Sequence, residues 1–152
     1  MVLMDAYHMP TGCGTWPAWW QNGPNWPAGG EIDILEGINA FTQNQVSLHT
    51  GPGCTMPSDM NNNQLSTLTT GNYNSYDCAS VDTSNQGCGS RDQTNDNSYG
   101  TGFNNVNGGV YASTWTDRSW KWAELILRSG LGQSWDPSLV LSTFQHPFRH
   151  HK

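Results

Sequence analysis

The stretch "EIDILE", residues 31–36, constrains the fold of this chain more than any other. Glu31, Asp33 and Glu36 crowd together with only Ile32, Ile34 and Leu35 between them. A strand with a period of two sends Glu31 and Asp33 to one face and Ile32 and Ile34 to the other. Glu36 breaks the alternation, because it stands an odd step from Glu31. One extra residue, Ile34 or Leu35 in a β-bulge, returns Glu36 to the acidic face. The stretch is expected to be a bulged strand that gathers three acids above an apolar floor.

The rest of the chain reads in the same way. Its 152 residues suit one domain with a core of ordinary size. Only 12% are charged, eight are Trp, and Gly, Asn, Ser and Thr abound, which favours an all-β protein with a neutral polar surface. "GTWPAWW" at 14–20 puts Trp16, Ala18 and Trp20 on one face and Thr15, Pro17 and Trp19 on the other. Trp16 and Trp20 are expected in the core, the usual place for such large apolar rings. "QNGPNWPAGG" must then be a loop. "NQVSLHT" alternates again, setting Gln45, Ser47 and His49 opposite Val46 and Leu48, so that His49 falls beside the acids. Residues 51–108 read as a long polar stretch relieved by "QLSTLTT", either functional or partly disordered. "GGVYASTWT" at 108–116 is a further strand.

Several partners and settings are disfavoured. The formal net charge of −6 and the lack of a Lys/Arg cluster argue against nucleic acid. No run of eighteen apolar residues is present, so no membrane span is expected. "MVLMDAYHMP" turns polar too soon for a leader, so no signal peptide is expected in this chain. Cys13, Cys54, Cys78 and Cys88 have no CxxC spacing, which disfavours zinc and suits the disulfides of an exported protein. Three pairings are open, of which Cys78 with Cys88 closes the shortest loop. His146, His150 and His151 make no closed metal site with the cysteines. No metal and no cofactor are expected.

Carboxylates on one side of a cleft are equipment for cleaving a glycosidic bond. One attacks the anomeric carbon and the other protonates the leaving oxygen, and retention asks for a separation of about 5–5.5 Å. On that chemistry Glu31 is the nucleophile and Glu36 the acid/base, while Asp33 shares a proton with Glu31 and moderates the repulsion. Trp26 lies in a Gly/Pro/Asn loop where burial is hard to arrange, which suits it to stacking on a sugar.

The residues also carry a family resemblance. "GEIDILEG" resembles the bulged catalytic signature of family 16 glycoside hydrolases. "HMPTGCGTWPAWW", "NGPNWPAGGEIDILEGIN" and "NQVSLHTGPGCTM" resemble fungal endo-β-1,3(4)-glucanases of the laminarinase type. The resemblance implies a concanavalin-like β-jelly-roll sandwich, incomplete at both ends, and retaining endo-hydrolysis of β-1,3 and mixed β-1,3/1,4-glucans. It implies catalytic Glu31, Asp33 and Glu36, a cleft histidine in His49, and substrate-stacking Trp19 and Trp26. Residues 1–116 match the central part of such a catalytic domain, whereas 117–152 fit its continuation poorly and are expected to be disordered or aberrant. The parent enzyme would be extracellular and its partner a β-glucan. The rival expectation is a non-catalytic, glucan-binding or vestigial fragment, since missing strands leave unpaired sheet edges.

Overall fold

Every pairing among the described strands of the computed structural model is antiparallel. The structure describes residues 1–56, 66–68, 76–92, 95–115 and 120–125. Strands β1 (Val2–Ala6), β2 (Ala18–Asn22), β3 (Glu31–Glu36) and β4 (Gln45–His49) come first. Then follow β5 (Ser66–Leu68), β6 (Cys88–Asp92), the short helix α1 (Gly100–Asn105), β7 (Gly109–Trp115) and β8 (Trp120–Leu125). They form a three-stranded sheet, order β1-β7-β8, and a five-stranded sheet, order β2-β3-β4-β6-β5. This is the all-β sandwich expected of the chain.

The core lies where alternation places it. Ile32, Ile34 and Leu35 of β3 and Val46 and Leu48 of β4 meet Tyr111 of β7 and Phe103 of α1 in one buried cluster. Fully burying each such side chain contributes roughly 1.5–3 kcal/mol. Phe103 and Tyr111 stack with ring centroids 5.4 Å apart. On β1, Met4 and Ala6 pack against the cluster while Leu3 and Asp5, which alternate with them, are exposed.

Three expectations need correction or extension. Trp16 and Trp20 are not core residues, being 68% and 53% exposed. β2 is an edge strand, and Trp20 sits directly opposite Asp33, so its side chain shares the acidic face. The stretch 51–108 is more structured than its composition implies, for it holds β5, β6 and α1. The β6 sequence "CGSRD" has no apolar alternation, and it is a strand because β4 and β5 flank it on both sides. Within 117–152, Trp120–Leu125 form β8 on β7. The remainder of that segment, including His146, His150 and His151, lies outside the described residues, as does most of "QLSTLTT".

Cys78 and Cys88 form a disulfide, while Cys13 and Cys54 are free. The shortest-loop pairing is therefore the one adopted.

Candidate active site

The site begins with the bulge in β3. Across β4, Asp33 lies opposite Ser47 and Glu36 opposite Gln45, so three steps on β3 match two on β4. Across β2, Leu35 lies opposite Trp19 and Asp33 opposite Trp20, which leaves Ile34 as the extra residue there. Ile34 and Leu35 are both buried, and Glu36 returns to the face of Asp33. A bulge leaves backbone groups without ladder partners. Asn44 takes them up: its Nδ2 donates to the Ile34 carbonyl at 3.0 Å and its Oδ1 accepts from the Glu36 N–H at 3.1 Å. Asn44 is completely buried, and its own N–H donates to Ser98 Oγ at 2.8 Å.

Strand pairing then assembles the acidic face. Glu31 lies opposite His49, and Asp33 opposite Ser47. His49 Nε2 comes within 3.3 Å of Asp33 Oδ2. That contact is an ion pair when His49 is protonated, and Oδ2 is otherwise buried with no hydrogen-bond partner. The other ring nitrogen, Nδ1, is 3.4 Å from Ser80 Oγ. Gly87, at φ +60°, lets the chain pass this ring. A Cβ there would stand 3.0 Å from His49 Nδ1 and would collide with the Leu48 carbonyl oxygen. Glu36 accepts from two donors, Trp16 Nε1 at Oε1 and Ser47 Oγ at Oε2, each at 3.0 Å.

The electrostatics follow from this crowding. Burial pushes Asp33 up to about 6, the charges of Glu36 and Glu31 push the same way, and the neighbouring His49 pulls back. Burial favours the neutral form of His49, yet Asp33, Glu31 and Glu36 outweigh it and raise its pKa. Asp33 therefore binds a proton more readily than an ordinary aspartic acid, and His49 holds one more readily than an ordinary histidine. Burial, reinforced by Glu36, also keeps Tyr99 neutral. Its hydroxyl lies 2.7 Å from the Pro17 carbonyl and 2.9 Å from that of Gly37, so one hydrogen is shared between two acceptors. Tyr99 thereby ties the residue after Glu36 to the approach of β2.

The structure brings Glu31, Asp33, Glu36 and His49 onto one face, as the two alternations predict. Trp26 is 45% exposed, with its ring 6.4 Å from that of His49. Trp19 pairs with Leu35 and packs half-buried against the core, so Trp16, Trp20 and Trp26 are the exposed indoles around the acids. Sequence reasoning passed over Ser47 as a partner of Glu36, although the alternation of 45–49 put it on the right face. For Trp16 and Asn44 no local signal exists, because both act across gaps set by the fold. Among the described residues no group of three or more His, Cys, Asp or Glu side chains is arranged to hold a metal ion.

Comparison with known proteins points to one family. Residues 1–135 match the family model for an XgeA-like catalytic GH16 domain. An endo-1,3(4)-beta-glucanase of Arthroderma benhamiae is 41% identical over 123 residues, which cover 78% of this chain and 25% of that protein. Laminarinase 16A from Phanerochaete chrysosporium, solved with 6-O-glucosyl-laminaritriose in both donor and acceptor sites, superposes with a TM-score of 0.71. It shares 40% identity, over 81% of this chain and 39% of that one. An elongating family 16 beta-1,3-glucosyltransferase gives a TM-score of 0.74 at 38% identity, covering 95% of this chain and 48% of its own. The chain spans only part of the length of the curated relatives it matches, 28% and 25% for the first two and as little as 14% for another. The jelly-roll neighbours and their partial coverage agree with the expectation of an incomplete sandwich. With its bulged acidic strand and a family match over most of its length, the chain belongs to glycoside hydrolase family 16, as part of an XgeA-like catalytic domain.

Proposed function

We propose that this chain carries the catalytic centre of a retaining endo-β-1,3(4)-glucanase. The observation that carries the reading is the bulge that sets Glu36 on the same face as Glu31 and Asp33. In the first step a Glu31 oxygen attacks the anomeric carbon, and the bond from that carbon to the leaving glucosyl oxygen breaks. Glu36 gives its proton to that oxygen. In the second step Glu36 takes a proton from water, the water oxygen attacks the same carbon, and Glu31 leaves. Two inversions give net retention. Asp33, with its raised pKa and buried Oδ2, shares a proton with Glu31, and His49 steadies Asp33.

A β-glucan fits as substrate because similar proteins are named for it and because exposed indoles flank the acids. Trp26 is a stacking ring by its place beside His49 as well as its exposure, joined by the more exposed Trp20 and Trp16. Trp19 remains a candidate from the family resemblance, though its half-buried ring suits a supporting role better. We read residues 1–116 as the central part of the catalytic domain, with β8 (Trp120–Leu125) continuing its three-stranded sheet beyond them. The disulfide between Cys78 and Cys88 supports export from the cell.

The test compares laminarin with an activated aryl glucoside. Glu31→Gln should abolish turnover of both while leaving glucan binding intact. Glu36→Ala should slow laminarin by roughly 10²–10⁴-fold yet barely slow glycosylation by the aryl glucoside, whose leaving group needs no proton. Laminarin binding without turnover in the unmutated chain would instead favour a glucan-binding fragment. Equal losses on both substrates for Glu36→Ala would refute its role as acid.

A further inference from the structure

The Ser47 contact to Glu36 is the last link of a longer file. Arg91, on β6, donates from Nη2 to Gln45 Oε1 at 2.9 Å. Gln45, on β4, donates from Nε2 to Ser47 Oγ at 3.2 Å. Ser47 donates to Glu36 Oε2 at 3.0 Å. Strand register makes the file possible, because Gln45 lies opposite Arg91 on one side and opposite Glu36 on the other.

The two ends dictate the direction of every link. A guanidinium only donates and a carboxylate only accepts. Arg91 therefore turns the Gln45 amide oxygen toward itself, which turns Nε2 toward Ser47. The Ser47 oxygen accepts there, so its hydrogen goes to Glu36. Bonds aligned from cation to anion polarise one another. Phe41 helps locate the cation, for the Arg91 guanidinium lies 4.0 Å from the centre of its ring. None of these partners bears on the fold of β3 in the way Asn44 does.

We propose that Arg91, acting through Gln45 and Ser47, is a positioning residue that holds the Glu36 carboxyl in the orientation from which it protonates the leaving oxygen. The proposal rests on the acid/base reading of Glu36. Removing the cation frees Gln45 to flip, and the hydroxyl of Ser47 then has no fixed direction.

The test uses Arg91→Met and Gln45→Leu, with Arg91→Lys as the conservative variant. Arg91→Met and Gln45→Leu should each lower laminarin kcat about tenfold, the size of one lost orienting hydrogen bond. KM should change little, and glycosylation by the aryl glucoside should be nearly untouched. Arg91→Lys should restore part of the loss. In a Glu36→Ala background, Arg91→Met should do nothing further. Nitrogen-15 NMR of the 152-residue chain gives a readout that needs no turnover. The side-chain amide signals of Gln45 should shift both in Arg91→Met and in Glu36→Ala. Equal losses on both substrates, a further loss in the Glu36→Ala background, or unmoved Gln45 signals would overturn the proposal. If Glu36→Ala itself slows both substrates alike, the acid/base reading fails, and the NMR shifts still decide whether the file exists.

Discussion

Replacing Asn44 tests whether the bulge is held by one side chain. Its backbone bonds, from its N–H to Ser98 Oγ and from the Asp92 N–H to its carbonyl, do not depend on the side chain. Asn44→Ala therefore removes two links only, to the Ile34 carbonyl and to the Glu36 N–H. Ile34 is 1% exposed, so its carbonyl loses a partner with no water to replace it, at a cost of about 1–3 kcal/mol. The Glu36 N–H is only partly buried and adds about 0.5–1.5 kcal/mol. The expected loss is roughly 2–4 kcal/mol, a large share of the 5–15 kcal/mol typical of a domain. Urea unfolding followed by tryptophan fluorescence measures it. Asn44→Asp sharpens the test. When protonated, the introduced acid can donate to Ile34 and accept from Glu36 as the amide does. When ionised, it cannot donate. Burial raises its folded-state pKa, so its contribution to stability is present at low pH and lost as pH rises through that value. A loss under about 1 kcal/mol for Asn44→Ala, or an Asn44→Asp deficit that does not grow with pH, would refute the reasoning.

Two further outcomes follow from the same geometry. The pKa of Asp33 rises from 3.8 to about 6, so the folded state binds the extra proton and stability falls as pH rises through that window, by on the order of 1–3 kcal/mol. The raised pKa of His49 contributes stability that is full below about 6.5 and lost above it. Asp33→Asn should thus gain on the unmutated protein between pH 4 and pH 7 in denaturation curves, and a flat difference would count against the assignment. Reducing the bond between Cys78 and Cys88, ten residues apart, should cost roughly 2–3 kcal/mol by loop entropy, visible as a lower urea midpoint in reductant.

The acidic strand was legible because two independent patterns met in it. Period two fixed the faces of Ile32 and Ile34, and the odd step to Glu36 required an extra residue. The alternation of 45–49 likewise placed Ser47 and His49 beside the acids. What escaped the sequence depends on pairing between distant segments. An indole fits a core or a substrate face equally well, so the exposure of Trp16 and Trp20 follows only from the edge position of β2. "CGSRD" is a strand by company rather than by propensity. α1 likewise rests on tertiary contacts, with Phe103 buried and the Asn104 amide bonded to both backbone groups of Met9. Arg91 stands 46 positions from Gln45, and nothing local announces that they meet.

The bulge also guards the chain against misassembly. Sliding β3 by one residue against its neighbours would exchange its faces, pushing Glu31 and Asp33 toward Tyr111 and Phe103 and turning Ile32 and Ile34 outward. Burying unpaired carboxylates is so costly that such a slip is closed to the folding chain. A bulge at a fixed point adds a second check, because Asn44 can clasp Ile34 and Glu36 in only one alignment. The acids that would do the chemistry are thus also the marks by which the strand finds its place.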